Sequence, residues 1–308
     1  MTRFTQTTFH TVTLILLFLV TCSSFGQQAT KIVRYSDFGA KGDGIADDFA
    51  ALVKAHNYAN ENGLPIKAND GATYYIGGAN HTISIQTNTD FGTSKFIIDD
   101  ARLKNVNAHV FNVRSKLKPI ILKGIETLKQ GQQKIQAKLP SACIIKATNS
   151  KVKRFIRRGN NQNNGSSQTD TFLVDKSGNV DPKTPIIWDF NHITKITAQP
   201  VDQIPLTITG GKFTTVTHTL HSPSYHSRGI HIQRSNVIID GVRHDIRGEG
   251  EKGAPYRGFI SISNCSNVVV KNTILTGHKT FRKIGTAGKP VSMGSYDISV
   301  TSALNVSF

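Results

Sequence analysis

The sequence predicts an all-β fold, a parallel β-helix solenoid closed at its N-terminal end by a capping helix, and three observations carry that prediction. Short β-branched runs recur late in the chain: Leu206-Thr207-Ile208-Thr209-Gly210-Gly211, Val237-Ile238-Ile239-Asp240-Gly241 and Val268-Val269-Val270-Lys271-Asn272. Gly211, Gly241 and Asn272 follow one another at nearly equal intervals, the mark of a structural repeat. A second series runs in phase with the first, at Arg228-Gly229-Ile230-His231-Ile232, Arg257-Gly258-Phe259-Ile260-Ser261-Ile262 and Tyr296-Asp297-Ile298-Ser299-Val300. Each member leads through a polar turn to Asn236-Val237, Asn267-Val268 or Asn305-Val306. Ahead of both series lies an amphipathic segment from Asp47 to about Asn62.

Runs of three to five residues are too short to stand alone, but like strands stacked turn on turn bury their apolar faces against one another. Period and strand length together point to a parallel β-helix. The step from Asn267 to Asn305 is longer than that from Asn236 to Asn267, so the extra residues leave the coil as loops at roughly 245–256 and 277–295. Rich in Gly, Lys, Arg, His and Tyr, these loops are where function is to be sought. Upstream the rhythm is looser, with strands expected at 95–98, 110–113, 142–147, 171–174 and 185–188 and a polar turn at 159–165. In the helix Asp47 or Asp48 caps the start, while Phe49, Leu52, Val53, His56 and Ala59 share one face. A solenoid needs its open end covered, which makes His56 a packed cap residue. Residues 296–308 begin a fresh repeat and stop at Phe308 without a cap, so further coils are expected beyond it.

The segment 1–26 reads as a secretory signal, with a basic start at Arg3, the apolar run 12–20 and a small or polar end, leaving 27–308 as the β-helix domain. The stretch 19–22, Leu-Val-Thr-Cys, weakly resembles a lipobox that would attach a lipid to Cys22. No second apolar stretch reaches membrane-spanning length. Lys and Arg total 37 against 20 acidic residues, a net charge of +17, which favours a polyanionic partner. The densest cluster is Lys146, Lys151, Lys153, Arg154, Arg157 and Arg158. Cys143 and Cys265 stand several turns apart in such a repeat and are not expected to form a disulfide.

From Val33 to Asp48, Val-Arg-Tyr-Ser-Asp-Phe-Gly-Ala-Lys-Gly-Asp-Gly-Ile-Ala-Asp-Asp, the chain resembles the opening motif of the pectate-lyase-like superfamily, and Gly71-Ala72-Thr73-Tyr74-Tyr75-Ile76 continues the match. That superfamily holds polysaccharide lyases, galacturonan hydrolases and phage tailspike-like proteins, and the resemblance implies a right-handed parallel β-helix. The motif speaks to fold rather than chemistry: its glycines permit tight turns and Asp37, Asp43, Asp47 and Asp48 serve structure. The segments 250–258 and 288–297 resemble exported polysaccharide-degrading proteins of Bacteroides-type bacteria.

Inverting hydrolysis needs an acid and a base on neighbouring carboxylates, and no such pair stands on a late turn. β-Elimination from a uronate needs its carboxylate neutralised, a base for the C5 proton and an acid for the leaving oxygen. The late turns supply such groups. Arg228 or Arg257 would neutralise, converging from consecutive turns; Tyr256 or His244 would act as base, with His278 a further proton-transfer candidate. Lys279, Arg282, Lys289 and Tyr296 would bind substrate. Calcium is the alternative neutraliser, with Asp240, Asp245, Glu249 and Glu251 as ligands; no other cofactor is expected. The expectation is a lyase acting on a uronate-containing anionic polysaccharide, a glycosaminoglycan fitting the charge best. Its rivals are a non-catalytic polysaccharide-binding or tailspike-like protein and a glycoside hydrolase. A nucleic-acid partner is not expected, since no Arg-aromatic stripe is visible.

Overall fold

The computed structural model describes residues 31–78, 81–101, 103–154, 165–217, 225–249, 255–277, 282–286, 289–293 and 295–308, the side chains of 282–293 excepted. The expected signal, the Cys22 lipid site and most of the 159–165 turn lie outside these residues. Strand β1 (Asp43–Asp47) and helix α1 (Phe49–Asn62) open the chain, followed by β2 (Ile66–Lys67), β3 (Thr73–Ile76), β4 (Ile83–Ile85), β5 (Thr89–Asp99) and β6 (Phe111–Arg114). Then come β7 (Ile120–Ile121), β8 (Cys143–Arg154), β9 (Ser166–Val174) and β10 (Lys195–Pro200). The late turns hold β11 (Leu206–Val216), β12 (Ile230–Gln233), β13 (Val237–Asp240), β14 (Arg243–Arg247), β15 (Ile260–Ser263), β16 (Ser266–Lys271) and β17 (Ile274–Leu275). The last four are β18 (Arg282–Thr286), β19 (Lys289–Met293), β20 (Ile298–Thr301) and β21 (Leu304–Ser307).

Two parallel sheets make the β-solenoid. One runs β1-β3-β5-β11-β13-β16-β21, with β2, β14 and β17 beside it; the other runs β20-β15-β12-β6-β4. Each coil repeats its apolar positions, so like side chains stack inside. Tyr74, Phe96, Phe213, His244 and Leu275 follow one another in register on five successive turns. The Phe96 and Phe213 rings stack at 4.8 Å and 14°, which is the spacing of hydrogen-bonded strands. At the corner after the second sheet, Asn236, Asn267 and Asn305 all adopt left-handed backbone, φ 55, 56 and 52°. Asparagine tolerates this conformation better than other side chains, and Asn305 Nδ2 donates to Asn267 Oδ1 at 3.2 Å. The recurring Asn-Val pair of the sequence is this corner. At the next corner the register pairs Thr209 with Asp240 and Asp240 with Lys271. Gly210, rather than Gly211, is therefore the residue equivalent to Gly241 and Asn272. A Cβ on Gly210 would sit 2.4 Å from the Gly92 carbonyl oxygen.

Helix α1 begins at Phe49, just after the expected start, and buries Phe49, Leu52, Ala55, His56 and Ala59. His56 is fully enclosed; its Nε2 meets the Tyr35 hydroxyl at 2.9 Å, and burial pushes its pKa down to about 3. The acidic opening motif is occupied by backbone. The Asp48 carboxylate accepts from the N–H groups of Lys41 and Gly42, Asp43 from Ile45 and Ala46, Asp47 from Phe49 and Asp37 from Arg34.

One expectation is overturned. The strands expected at 142–147 and 171–174 are present within β8 and β9 but do not join the solenoid, and 185–188 is not a strand. Between β6 and β11 the chain leaves the solenoid to build an antiparallel sheet, β7-β10-β8-β9, over a core of its own that includes Leu128, Ile135, Ile145, Phe172 and Phe190. The alternation in Cys143-Ile144-Ile145-Lys146-Ala147 marks a strand with one buried face, and that pattern is the same whichever way its neighbours run. Beneath the insertion the solenoid closes directly, β6 pairing with β12 and β5 with β11. Arg234 holds the exit, 3.4 Å from Asp202, and Lys146 Nζ donates to Asn264 Oδ1 at 3.3 Å. Cys143 lies in the insertion and Cys265 in the solenoid, both buried and free, as expected. Strands β18 and β19 form an antiparallel hairpin within the expected second loop.

Candidate functional site

The five-stranded sheet presents alternate residues outward, because Phe111, Val113, Ile230, Ile232, Ile260 and Ile262 all face the core. Between them stands a polar column in strand register, Ser84, Asn112, His231, Ser261 and Ser299. His231 is its centre. The His109 ring stacks on it at 4.4 Å and 30°, and its Nε2 meets Ser263 Oγ at 2.8 Å. Asn112 and Ser261, on either side, are 5% and 6% exposed. Asn112 Oδ1, Ser261 Oγ and His109 Nδ1 are buried without a hydrogen-bond partner among the described residues. Leaving such atoms unmet costs free energy.

Its electrostatics are neutral at the centre and cationic at the margin. Burial, then His231, Arg257 and Arg228, drives the His109 pKa down to about 3; burial and Arg114 lower that of His231. Both rings are therefore uncharged at neutral pH. Arg114 and Arg257 are exposed beside them. At the upstream end of the sheet Tyr225 and Tyr296 lie with ring centroids 5.5 Å apart and hydroxyls at 3.4 Å; Tyr296 is 49% exposed.

Below this surface a second constellation is closed. Arg228 is among the largest fully buried side chains. Its Nε donates to Asp100 Oδ1 at 2.7 Å and its Nη1 to the Ala108 carbonyl at 2.8 Å. The Tyr256 hydroxyl donates to the other Asp100 oxygen at 3.2 Å, and His226 packs against the Tyr256 ring. Burial raises the Asp100 pKa to about 6 against the opposing pull of Arg228 and the Tyr256 hydrogen bond.

Of the residues singled out in the sequence, Arg228 and Tyr256 thus meet, on a buried aspartate that the sequence did not mark. Arg228 and Arg257 do not converge. Ile230 pairs with Ile260 and His226 with Tyr256, so Arg228 stands level with Gly258 and Arg257 with Ser227. The two Arg-Gly pairs look equivalent, yet they are one residue out of phase, and one residue turns a strand side chain to the other face. Arg228 points inward and Arg257 outward. His244 also belongs to the interior. It follows Phe213 in the aromatic ladder, stacks on Phe259 at 4.0 Å and 9°, and its Nε2 meets Thr215 Oγ1 at 2.9 Å. Tyr296 is at the surface as described. His278 and Lys279 lie outside the described residues, and Arg282 and Lys289 stand on the two strands of the β18–β19 hairpin.

Of the carboxylates proposed for calcium, Asp240 pairs with Lys271 at 3.4 Å and Asp245 with Arg243 at 3.1 Å. Glu251 lies outside the described residues, and no group of three or more metal-binding side chains occurs among them. Among the described residues no helix is long and apolar enough to cross a membrane.

Asn112, His231 and Ser261 carried a readable signal. Each is the polar residue of an apolar-polar-apolar triplet, Phe111-Asn112-Val113, Ile230-His231-Ile232 or Ile260-Ser261-Ile262.

No family model matches the sequence, and no curated protein matches it. Among solved structures, the chain is similar to the tailspike gp61 of Pseudomonas phage phi297, with a TM-score of 0.53 at 10% identity over 91% of this chain and 49% of that one. It is also similar to the tailspike gp49 of Pseudomonas phage LKA1, at 0.44 and 16% identity over 88% and 50%. A third is the Gp54 tailspike of Acinetobacter baumannii phage AP22, determined in complex with a capsular saccharide, at 0.46 and 8% identity over 78% and 36%. The chain therefore spans about half or less of the length of these proteins. The phi297 likeness is one of fold, and it agrees with the β-solenoid that the opening motif implied.

Proposed function

We propose that this chain recognises a polysaccharide on the outward face of the five-stranded sheet. The observation that carries the reading is the trio of buried, unmet polar atoms around His231: Asn112 Oδ1, Ser261 Oγ and His109 Nδ1. Sugar hydroxyls both donate and accept, so a saccharide lying on this face brings partners for such atoms as side chains adjust around them, without bringing charge into a neutral place. Tyr225 and Tyr296 offer flat apolar surface with a polar tip, suited to a sugar ring at the end of the sheet. Arg114 and Arg257 flank the column, and guanidinium forks favour carboxylate or sulfate on the same chain. An anionic, hydroxyl-rich polysaccharide suits both features.

Binding is placed ahead of β-elimination. Of the groups expected for a lyase, Tyr256, His244 and Arg228 are buried and hydrogen-bonded inside the protein, and Arg257, the other neutraliser expected, is exposed apart from them. Titration calorimetry of the full chain against capsular and uronate polysaccharides tests this directly, with the ultraviolet absorbance of unsaturated uronates followed in the same samples. Saturable binding without product is expected, weakened about tenfold or more by Asn112→Ala or Ser261→Ala, since a lost buried hydrogen bond is worth about 1–3 kcal/mol. Wild-type affinity in both variants would overturn the assignment of the face, and product formation would restore the lyase.

A further inference from the structure

A second binding surface stands on the insertion, away from the polar column. After a register shift past Asn149, strand β8 continues through Lys151, Val152, Lys153 and Arg154, all exposed, with Lys153 and Arg154 paired to Ser167 and Ser166 of β9. The Arg154 guanidinium lies 4.3 Å from the centroid of the Trp188 ring, and Trp188 in turn packs on the core of the insertion. Lys153 Nζ donates to Ser167 Oγ at 3.2 Å. Lys195 projects from the neighbouring strand, opposite Thr148. None of these four cations has a carboxylate within ion-pair distance among the described residues; the five ion pairs found there all lie on the solenoid or at the root of the insertion.

We infer that this edge of the insertion docks a carboxylated or sulfated polysaccharide chain, independently of the face that carries Asn112 and Ser261. Like charges gathered on a rigid sheet repel one another, and a polyanion laid across them relieves that repulsion while releasing its own counterions. Stacking on Trp188 holds the Arg154 plane before any ligand arrives. Its in-plane N–H donors are then presented to the two oxygens of a carboxylate or sulfate. A lysine there would supply charge without the fork. Nucleic acid is the less fitting partner, because single strands bind through successive bases on open aromatic faces. Here the aromatic ring is a single one, and Arg154 covers it.

The full chain would be tested by equilibrium binding to polygalacturonate, dextran sulfate and duplex DNA over a salt series. Binding to at least one polysaccharide is expected to fall about tenfold or more in the Lys151→Glu/Lys153→Glu double variant, with a shallower salt dependence. Arg154→Lys should lose several-fold while keeping the salt slope, which separates the fork from plain charge. The same fall is expected when the double variant is made in an Asn112→Ala background, so failure here and failure of the sheet face are read separately. Both variants of the insertion alter exposed side chains, and an unchanged thermal midpoint verifies the fold. Wild-type affinity in the double variant overturns the inference, as does tighter binding of DNA than of either polysaccharide.

Discussion

The solenoid and its insertion are both β-structure of similar strand composition, yet they are held together differently. In the solenoid each side chain rests on its equivalent one turn away, so Phe213 lies between Phe96 and His244 and the core is one continuous column. In the insertion, antiparallel strands meet across long connections, and Phe172, Phe190 and Ile145 close a separate small core. Stacked repeats share stability between nearest neighbours, whereas a looped-out subdomain with its own core can open alone.

The largest expected effect comes from breaking each core in turn. Phe213→Ala should cost about 3–5 kcal/mol and lower amide protection throughout β5, β11 and β14. Phe172→Ala removes a ring of equal size, but its loss of protection should stay within the insertion, between β7 and β10, and leave the coils intact. Hydrogen exchange on both variants distinguishes the outcomes. Loss of solenoid protection in Phe172→Ala would mean that the two regions fold as one.

The same contrast explains what could be read in the sequence. The late repeats were visible because stacking demands like residues at fixed separations, and the asparagine corner was visible because left-handed backbone narrows the choice of residue. The strands of the insertion were legible by alternation, but alternation is silent on partner and direction. His244 was readable in principle, since it follows Phe213 at the interval that separates other stacked positions, such as Leu206 and Val237. Asp100 was not. It meets Arg228 across 128 positions, and the insertion in between erases the period that would have aligned them. The outward column was legible only as small polar residues between apolar ones, a weaker pattern than a cluster of charges.

The Asp100–Arg228 pair gives the next test, a polar tie within the solenoid with side chains 0% and 1% exposed. Arg228→Met leaves a buried carboxylate without its cation, which costs about 3–5 kcal/mol when the partner stays charged. In the wild type the folded carboxyl titrates at about 6, above its unfolded value of about 3.9. The folded state thus holds that proton more tightly, and this group's contribution falls as pH rises from about 4 to about 6. Without Arg228 the folded value rises further and the falling window extends upward. The variant should therefore lose more stability at pH 8 than at pH 5, where Asp100 is already largely protonated. Denaturant titrations at the two pH values check this, and an equal loss at both would show that Asp100 is not the group that responds.

The smallest effect concerns the tie between the two regions. Lys146 reaches from β8 to Asn264 at 3.3 Å, bridging the insertion to the corner after β15, while Ser115 and Arg234 hold its root through Asp202. The Lys146 bond is long and exposed, and ordering a lysine side chain costs rotamer freedom of comparable size. Lys146→Ala should therefore change global stability by less than about 1 kcal/mol, whereas exchange in β8 and β9 should quicken. Asp202→Ala, at the root, removes the acceptor of Ser115 and the countercharge of a largely buried Arg234, so its effect should be greater and should reach the coils. If Lys146→Ala proved the more damaging of the two, the insertion would be coupled to the solenoid through its sheet face rather than its root, and the separation of the two cores would not be a separation in stability.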